Sequence, residues 1–323
     1  MRALIYFKKS ELSPVGGPRG YLYNLKVGLD ENNIENIDFL PEDNKEKEKK
    51  IRKILSKIFN FIMPIKIKKI RINSHLENNY KNLINKNNKT KLPLDYKKYD
   101  IIHFHSTFDL YYEQMNLKDY NGKIVLTSHS PEPLHQEIFK RDFKNLSNSN
   151  EILKELEKVD IYAFNRANYI FFPCVEAEEP YYNRWDKYKE IHDKNINKYR
   201  YILTGIKKCS SMKAASEVRK EYKIPKEAFT ICYIGRHNEV KGYEFLKCIS
   251  KKIMKDKNNY FLIAGKEGPI YGYKNLKQWT EIGWTKDPYS IINAADIFIL
   301  PNKETYFDLV FLEVLSLKKL IYM

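Results

Sequence analysis

Two basic residues five positions apart are the strongest candidates for chemistry in this chain. Arg236 and Lys241 follow an apolar run at Phe229–Ile234 and precede a segment with helical spacing. The start of a helix presents free N–H groups and the positive end of the helix dipole, which together favour a bound anion. Two nearby cations would clamp a diphosphate there. The alternative interpretation is a pair of solvated surface cations.

The elements that must position such residues alternate between strands and helices. In the first part of the chain, apolar runs of strand length occur at Arg2–Phe7, Asp100–His105, Lys123–Thr127 and Tyr169–Phe172. A loop at Gly16–Gly20 leads into a helical segment at Tyr21–Leu29. Repeated βα units with apolar strands indicate a parallel sheet covered on both faces. We therefore predict a doubly wound α/β domain over residues 1–205.

A second series of the same kind follows a break in composition near Thr204. Its predicted strands are Phe229–Ile234, Tyr260–Ala264, Thr280–Trp284 and Asp296–Leu300. Its predicted helices are Lys241–Ile253, Pro288–Ala294 and Leu309–Leu317. This alternation predicts a second doubly wound domain over residues 206–323.

Composition and charge exclude several classes of protein. The chain has 323 residues, a formal net charge of +16 and 43% hydrophobic residues, which is typical of globular proteins. No apolar run approaches the roughly 20 residues that span a membrane, and the apolar N-terminal stretch stops at Lys8, too early for a signal peptide. Four isolated cysteines indicate reduced thiols. We therefore predict a cytoplasmic protein.

One segment, Lys45–Arg71, concentrates positive charge. It holds eleven cations against two glutamates, and its apolar residues between Ile51 and Ile62 fall on one helical face. Such a helix can pack on a core with its basic face in solvent. It can also bind the anionic inner face of the plasma membrane as a peripheral attachment. The charge is accompanied by no nucleic-acid motif, so we expect no nucleic-acid partner.

Several motifs together resemble glycosyltransferase family 4, a family of retaining enzymes with the GT-B fold of two Rossmann-like domains. The resemblance is strong from about Val218 to Ser316 and diffuse before that. In the second domain it rests on the Arg236 to Lys241 loop and on Arg219–Pro225, Ile282–Trp284 and Asp296–Ser316. In the first domain it rests on Gly16–Gly17, His103–His105 and Thr127–His129.

The resemblance implies roles for individual residues. Arg236 and Lys241 would hold the donor diphosphate and stabilise the departing nucleotide. Glu313 would accept hydrogen bonds from the ribose hydroxyls. In the same domain, the phosphate oxygens would meet the backbone N–H groups of Leu309 and Val310.

In the first domain, the resemblance implies that His129 faces the donor sugar and that the loop at Gly16 and Gly17 belongs to the donor site. A hydrogen-bonded loop histidine is the structural alternative for His129. For His103 and His105, we favour a structural role at the ends of their strand.

The spacing of the acidic residues departs from the family pattern. The paired glutamates of the family usually lie eight positions apart, whereas Glu304 and Glu313 are nine apart. The sugar-facing contact therefore falls to Glu304, Thr305 or Asp308, and Glu304 joins His129 as a catalytic candidate. Paired carboxylates also serve in glycoside hydrolysis, but the loop at Arg236 fits a nucleotide donor better.

These features predict a retaining glycosyltransferase that moves a sugar from a nucleotide diphosphate sugar to a lipid-linked or cell-surface glycan in polysaccharide biosynthesis. We expect no metal and no cofactor beyond the donor substrate. A sugar-nucleotide epimerase or phosphorylase on the same fold is the alternative, as is a non-catalytic remnant. The resemblance also implies elements beyond Met323, so we expect an incomplete second domain and a truncated enzyme with impaired stability and little activity.

Overall fold

The computed structural model describes residues 1–8, 12–14, 17–40, 78, 80–81, 95–303 and 308–323. It divides the chain into two compact units, Met1–Thr204 and Gly205–Met323. Several sequence predictions lie outside the described residues, namely the basic segment Lys45–Arg71 and the site candidates Gly16, Glu304 and Thr305.

The first unit is built on a six-stranded parallel sheet. Its strands are β1 (Ala3–Tyr6), β2 (Ile37–Phe39), β3 (Ile101–Phe104), β4 (Lys123–Thr127), β5 (Tyr169–Phe172) and β6 (Tyr199–Tyr201). The strand order is β2-β1-β3-β4-β5-β6. The helices are α1 (Gly17–Glu31), α2 (Thr107–Tyr112), α3 (Leu134–Ile138), α4 (Ser149–Arg166), α5 (Glu179–Arg184) and α6 (Tyr188–Asn195).

The second unit contains a five-stranded parallel sheet. Its strands are β7 (Phe229–Ile234), β8 (Asn259–Ala264), β9 (Trp279–Gly283), β10 (Ile297–Ile299) and β11 (Leu320–Tyr322), in the order β11-β10-β7-β8-β9. The helices are α7 (Ala215–Glu221), α8 (Tyr243–Ile253), α9 (Pro288–Ala294) and α10 (Leu309–Ser316).

The second sheet is buried on both faces, as its continuous apolar strands require. Successive residues of β7 point to opposite faces. Cys232 packs in one cluster with Leu262 and Phe298, whereas Ile231 and Tyr233 pack in another cluster on the other face. The prediction of two doubly wound α/β domains is therefore confirmed.

The strand order of the second unit reverses between β7 and β10. The chain adds β8 and β9 on one side of β7, and then crosses back through α9 to place β10 on the other side. Asp296 fixes this return, since its carboxylate accepts hydrogen bonds from the backbone N–H of Thr230 at 2.7 Å and from the Arg219 guanidinium at 2.9 Å. The loops after β7 and β10 consequently flank a crevice at the carboxyl edge of the sheet, where α/β proteins bind ligands.

Two helix starts differ from the sequence expectation. The segment predicted as a loop at Gly16–Gly20 is helical from Gly17 onward, because Pro18 is compatible with the first turn of a helix, where its missing N–H is not needed. The helix predicted from Lys241 begins instead at Tyr243, because Gly242 has a φ of 64° in the left-handed region. Within the described ranges, none of the helices has the length and apolar character needed to cross a membrane.

The positive φ of Gly242 generates a stability prediction. A Cβ at this position would overlap the backbone carbonyl oxygen of Pro301 in the loop after β10. Left-handed backbone strain alone costs about 1–3 kcal/mol, so Gly242→Ala should lower the free energy of unfolding by at least this amount in urea denaturation.

The matched control is Gly205→Ala, because a Cβ at Gly205 meets open space. Gly205→Ala should change the free energy of unfolding by no more than about 0.5 kcal/mol. Equal unfolding midpoints for the two variants would show that the approach of Gly242 to Pro301 does not constrain the fold.

Candidate functional site

A lysine side chain and a helix start meet at the carboxyl edge of the second sheet. Lys241 Nζ lies 2.5 Å from Oδ1 of Asp308, the residue immediately before α10. Asp308 makes no capping hydrogen bond to α10 with its side chain, and its Oδ2 accepts from Asn302 Nδ2. The first N–H groups of the helix, including those of Leu309 and Val310, lack intrahelical partners. The ammonium group and the helix start together make this position favourable for an anion.

The loop that carries Lys241 is held by its own hydrogen bonds. The backbone N–H of Lys241 donates to Asn238 Oδ1 at 3.0 Å, which closes a turn. Val240 accepts a hydrogen bond from the backbone N–H of Lys303, in the loop after β10, at 3.1 Å. An exposed ion pair between Lys303 and Glu239 at 3.1 Å joins the same two loops. The loops on both sides of the crevice are therefore bound together.

Arg236 is the second residue after β7 and directly follows Gly235. Its side chain is exposed, while its carbonyl oxygen accepts a hydrogen bond from the Tyr233 hydroxyl at 2.9 Å. The preceding Gly235 lies so close to Gly265, in the loop after β8, that a Cβ on Gly265 would overlap the Gly235 carbonyl. The backbone of the loop is thus fixed, and the guanidinium can reach into solvent toward a ligand.

Glu313 lies one helical turn beyond Leu309, on the same face of α10. Its Oε1 accepts a hydrogen bond from the Tyr289 hydroxyl of α9 at 3.3 Å. Burial raises the pKa of the Glu313 carboxyl above its usual range, and the Tyr289 hydrogen bond opposes this shift only partly. A half-buried carboxylate with one long hydrogen bond retains acceptor capacity for a ligand.

Three histidines gather at the carboxyl edge of the first sheet. His129 follows β4, and its Nε2 lies 2.8 Å from Nδ1 of His105, which follows β3. The two rings are nearly parallel, with centroids 5.1 Å apart and an interplanar angle of 16°. The His103 ring lies 4.1 Å from the His105 ring at an interplanar angle of 32°, and His103 Nε2 lies 2.8 Å from Thr127 Oγ1.

His103 and His105 are neutral. His105 is 2% exposed, and burial, together with the two neighbouring imidazoles, holds its pKa well below the usual range. Burial lowers the pKa of His103 to about 3, with His129 contributing to the same direction. A neutral His105 shares one proton with His129 and so orients the His129 ring.

Helix α1 approaches the same histidines from its N-terminal side. Gly17 is its first residue, and the Tyr21 ring, one turn later, lies 5.0 Å from the His129 ring and 5.8 Å from the His105 ring. The structure thus brings the start of α1 and His129 together in the first unit. The second unit brings together Lys241, Glu313 and the start of α10.

Several partners of these residues were not predicted from the sequence. Asp308, one of the candidates for the sugar contact, also contacts Lys241 and Asn302. Tyr289 and Tyr21 carried no motif. The sequence does indicate that Asp308 lies at a helix start, because an acidic residue is common directly before a helix. Nothing in the sequence links Asp308 to Lys241, which lies 67 positions away.

One known protein family matches part of the second unit. Residues 228–321 match the family described as "Glycosyl transferases group 1". This range contains the loop after β7, the loop after β10 and nearly all of the second sheet. Among curated proteins, no sequence matches the chain significantly.

Solved structures similar to this chain share its fold at low sequence identity. Sucrose-phosphate synthase from Thermosynechococcus elongatus is 14% identical, with a TM-score of 0.56 over 99% of this chain and 79% of that protein. HepE of Anabaena in complex with UDP is 12% identical, with a TM-score of 0.56 over 99% and 80%. The catalytic domain of starch synthase IV from Arabidopsis thaliana, bound to ADP and acarbose, is 14% identical. Its TM-score is 0.51 over 69% of this chain and 56% of that protein.

The buried carboxylate of Glu313 generates a pH-dependent prediction. Because burial raises its pKa in the folded state, the folded chain binds the proton more tightly than the unfolded chain, and stability falls as the pH rises between the two pKa values. Glu313→Gln keeps a hydrogen-bond acceptor for Tyr289. Because glutamine does not ionise, the variant avoids the loss of stability that the buried carboxylate causes at high pH. The variant should match or exceed the parent in free energy of unfolding at pH 8, and the difference should shrink toward pH 4.5.

The control for this measurement is Glu244→Gln, which changes an exposed carboxylate in the first turn of α8. The difference in free energy of unfolding between Glu244→Gln and the parent should not shrink from pH 8 toward pH 4.5 as it does for Glu313→Gln. A Glu313→Gln variant that is less stable than the parent at pH 8 would contradict the prediction.

Proposed function

We propose that this chain is a group 1 glycosyltransferase, because residues 228–321 match that family and the chain has the GT-B fold, and we propose its donor, its acceptor class and its site. The donor is a nucleotide diphosphate sugar. The sugar passes, with retention of its anomeric configuration, to a lipid-linked or cell-surface glycan. The binding of UDP by HepE and of ADP by starch synthase IV supports a nucleotide donor.

The observation that carries the proposal is the position of Lys241. Its ammonium group reaches the residue directly before α10, so a cation and a helix N-terminus share one small region of the crevice. Phosphate groups are bound in proteins by this combination of N–H groups, helix dipole and basic side chains. Arg236, on the same loop, supplies a second cation.

These groups account for leaving-group stabilisation. When the bond between sugar and phosphate breaks, negative charge develops on the departing nucleoside diphosphate. Lys241, Arg236 and the N–H groups of Leu309 and Val310 neutralise this charge. Donor binding replaces the Asp308 carboxylate with a phosphate oxygen as the partner of Lys241.

The remaining residues bind the two ends of the donor. Glu313 accepts hydrogen bonds from the ribose hydroxyls, because a carboxylate can accept from two hydroxyls at once. His129 faces the donor sugar, with its ring oriented by His105, and Gly17 allows close approach at the start of α1. Glu304, Thr305 or Asp308 supplies the sugar contact.

A product assay separates this function from its alternatives. An epimerase converts the donor and releases free sugar in the absence of any acceptor, whereas a transferase attaches the sugar to a glycan. A phosphorylase requires phosphate. A non-catalytic chain binds UDP without turnover, so multiple turnovers in the presence of an acceptor support the proposed transferase.

The phosphate site is tested by single substitutions. Arg236→Ala and Lys241→Ala should each weaken UDP binding at least about tenfold in calorimetric titration, since a charge-assisted hydrogen bond contributes about 1.5–3 kcal/mol. Glu313→Gln should weaken UDP binding as well, through the ribose. Lys220→Ala, at an exposed position on α7, is the charge-matched control and should bind UDP like the parent. Unchanged affinity in both Arg236→Ala and Lys241→Ala excludes this phosphate site.

The proposal includes peripheral attachment to an anionic membrane through Lys45–Arg71. The support is the sequence alone, in which eleven cations accompany one apolar helical face. Each basic residue near an anionic surface contributes about 1 kcal/mol. A lipid-linked acceptor would then be presented at the surface to which the enzyme is attached.

Vesicle sedimentation tests the attachment. Anionic vesicles should sediment the protein, neutral vesicles should not, and added salt should release it. Glutamine at Lys47, Lys49, Lys50 and Lys53 should abolish most of the binding. The control carries the same number of changes at the exposed lysines Lys251, Lys252, Lys255 and Lys257. Equal sedimentation with neutral and anionic vesicles, or equal loss in both variants, overturns the assignment to this segment.

A further inference from the structure

Three potential metal ligands converge at the carboxyl edge of the second sheet, beside the loop of Arg236. They are His237 in the loop after β7, Glu267 in the loop after β8 and Glu281 in β9. One ligand atom from each residue lies within 4.8 Å of the other two. The three residues come from separate parts of the chain, and the parallel order of β7, β8 and β9 brings them to one place.

His237 is fully buried, with a side-chain exposure of 0%. Neither of its ring nitrogens has a hydrogen-bond partner among the described residues. Its Nε2 lies 3.8 Å from Oε2 of Glu281, too far for a hydrogen bond. A buried imidazole without hydrogen bonds lowers the stability of the fold unless another group, such as a bound ion, interacts with its ring nitrogens.

Glu281 is oriented toward the same point. Its Oε1 accepts hydrogen bonds from the Tyr243 hydroxyl and, at 2.7 Å, from the Trp279 indole N–H. Its Oε2 is buried and has no hydrogen-bond partner within the described ranges. A Cβ at Gly272 would overlap Oε1, so the glycine makes room for this carboxylate. One oxygen is therefore fixed by donors, and the other is left to face the imidazole.

The imidazole itself is held in place. The ring of His237 stacks on the Tyr243 ring, with centroids 3.9 Å apart and an interplanar angle of 5°. Its backbone N–H donates to the Lys266 carbonyl at 3.2 Å, and its carbonyl accepts from the Ile270 N–H at 3.1 Å. These bonds tie His237 to the loop that carries Glu267. The donor set is thus preorganised by packing and by outer hydrogen bonds, as in metal sites.

We propose that His237, Glu267 and Glu281 bind a divalent transition metal ion of the zinc type, with water completing the coordination. Zinc sites use imidazole nitrogen and carboxylate oxygen ligands at about 2.0–2.2 Å from the metal. Ligands on a common ion at these distances lie about 3–4 Å from one another, and the 3.8 Å between Nε2 and Oε2 meets that requirement. Two carboxylates also balance the charge of the cation.

A metal ion binds the neutral form of an imidazole, and neither ring nitrogen of His237 is hydrogen-bonded to a carboxylate within the described residues. The ion would fasten the loop after β8 to the loop that begins at Arg236, and it takes no part in sugar transfer. The site is independent of the proposed function.

Zinc binding by the purified full-length chain tests the proposal without any activity measurement. Competition with a chromogenic chelator should show a site that the parent fills with one Zn²⁺. Glu281→Gln and Glu267→Gln should each weaken it at least about tenfold, the range that changes around metal sites produce. Glu267 is exposed, so its variant should fold even where substitution at the partly buried Glu281 disturbs packing. Glu244→Gln, an exposed change nearby on α8, should bind like the parent.

Thermal unfolding provides a second readout. Zn²⁺ should raise the melting temperature of the parent and of Glu244→Gln, because a ligand that binds only the folded chain stabilises it. Zn²⁺ should leave the melting temperature of Glu267→Gln nearly unchanged. Failure of the parent to bind Zn²⁺, or equal Zn²⁺ affinity in the parent, Glu267→Gln and Glu281→Gln, overturns the proposal, since any bound ion would then lie elsewhere.

Discussion

The reversal of strand order between β7 and β10 is the constraint on which the second unit depends. Every connection between parallel strands is a crossover, and the one that contains α9 returns the chain to the far side of β7. Asp296 holds the start of β10 against β7 through Thr230 and Arg219. The crevice, the contact of Lys241 with the start of α10, and the position of Glu313 all follow from this return.

The strand order of the first unit also reverses, between β1 and β3, but different side chains lie at that edge of its sheet. In place of cations, its crevice carries histidines whose burial keeps them neutral. His129 is oriented through its contact with His105. Arg236 and Lys241 thus belong to the second unit, and the cluster of three histidines belongs to the first.

The sequence predicted the strands more fully than the contacts of the site. The apolar run Phe229–Ile234 coincides with β7 because both faces of that strand are buried, and continuous hydrophobicity is the signal of such a strand. Strand β9 begins one residue earlier than predicted, at Trp279, whose indole is buried and bonded to Glu281. The pairings of His105 with His129 and of Lys241 with Asp308 depend on strand order, which local patterns do not encode.

The approach of Gly242 to Pro301 makes the two positions unequal in their tolerance of sequence change. The atom that a side chain at position 242 would strike is a backbone oxygen, which every amino acid has. Position 301 can therefore exchange its side chain without relieving the clash, and position 242 cannot be rescued by any substitution opposite it. In the divergence of such chains, this restriction would be one-sided: glycine at 242 is retained for the backbone it faces, while the residue that supplies that backbone is left to vary for other reasons.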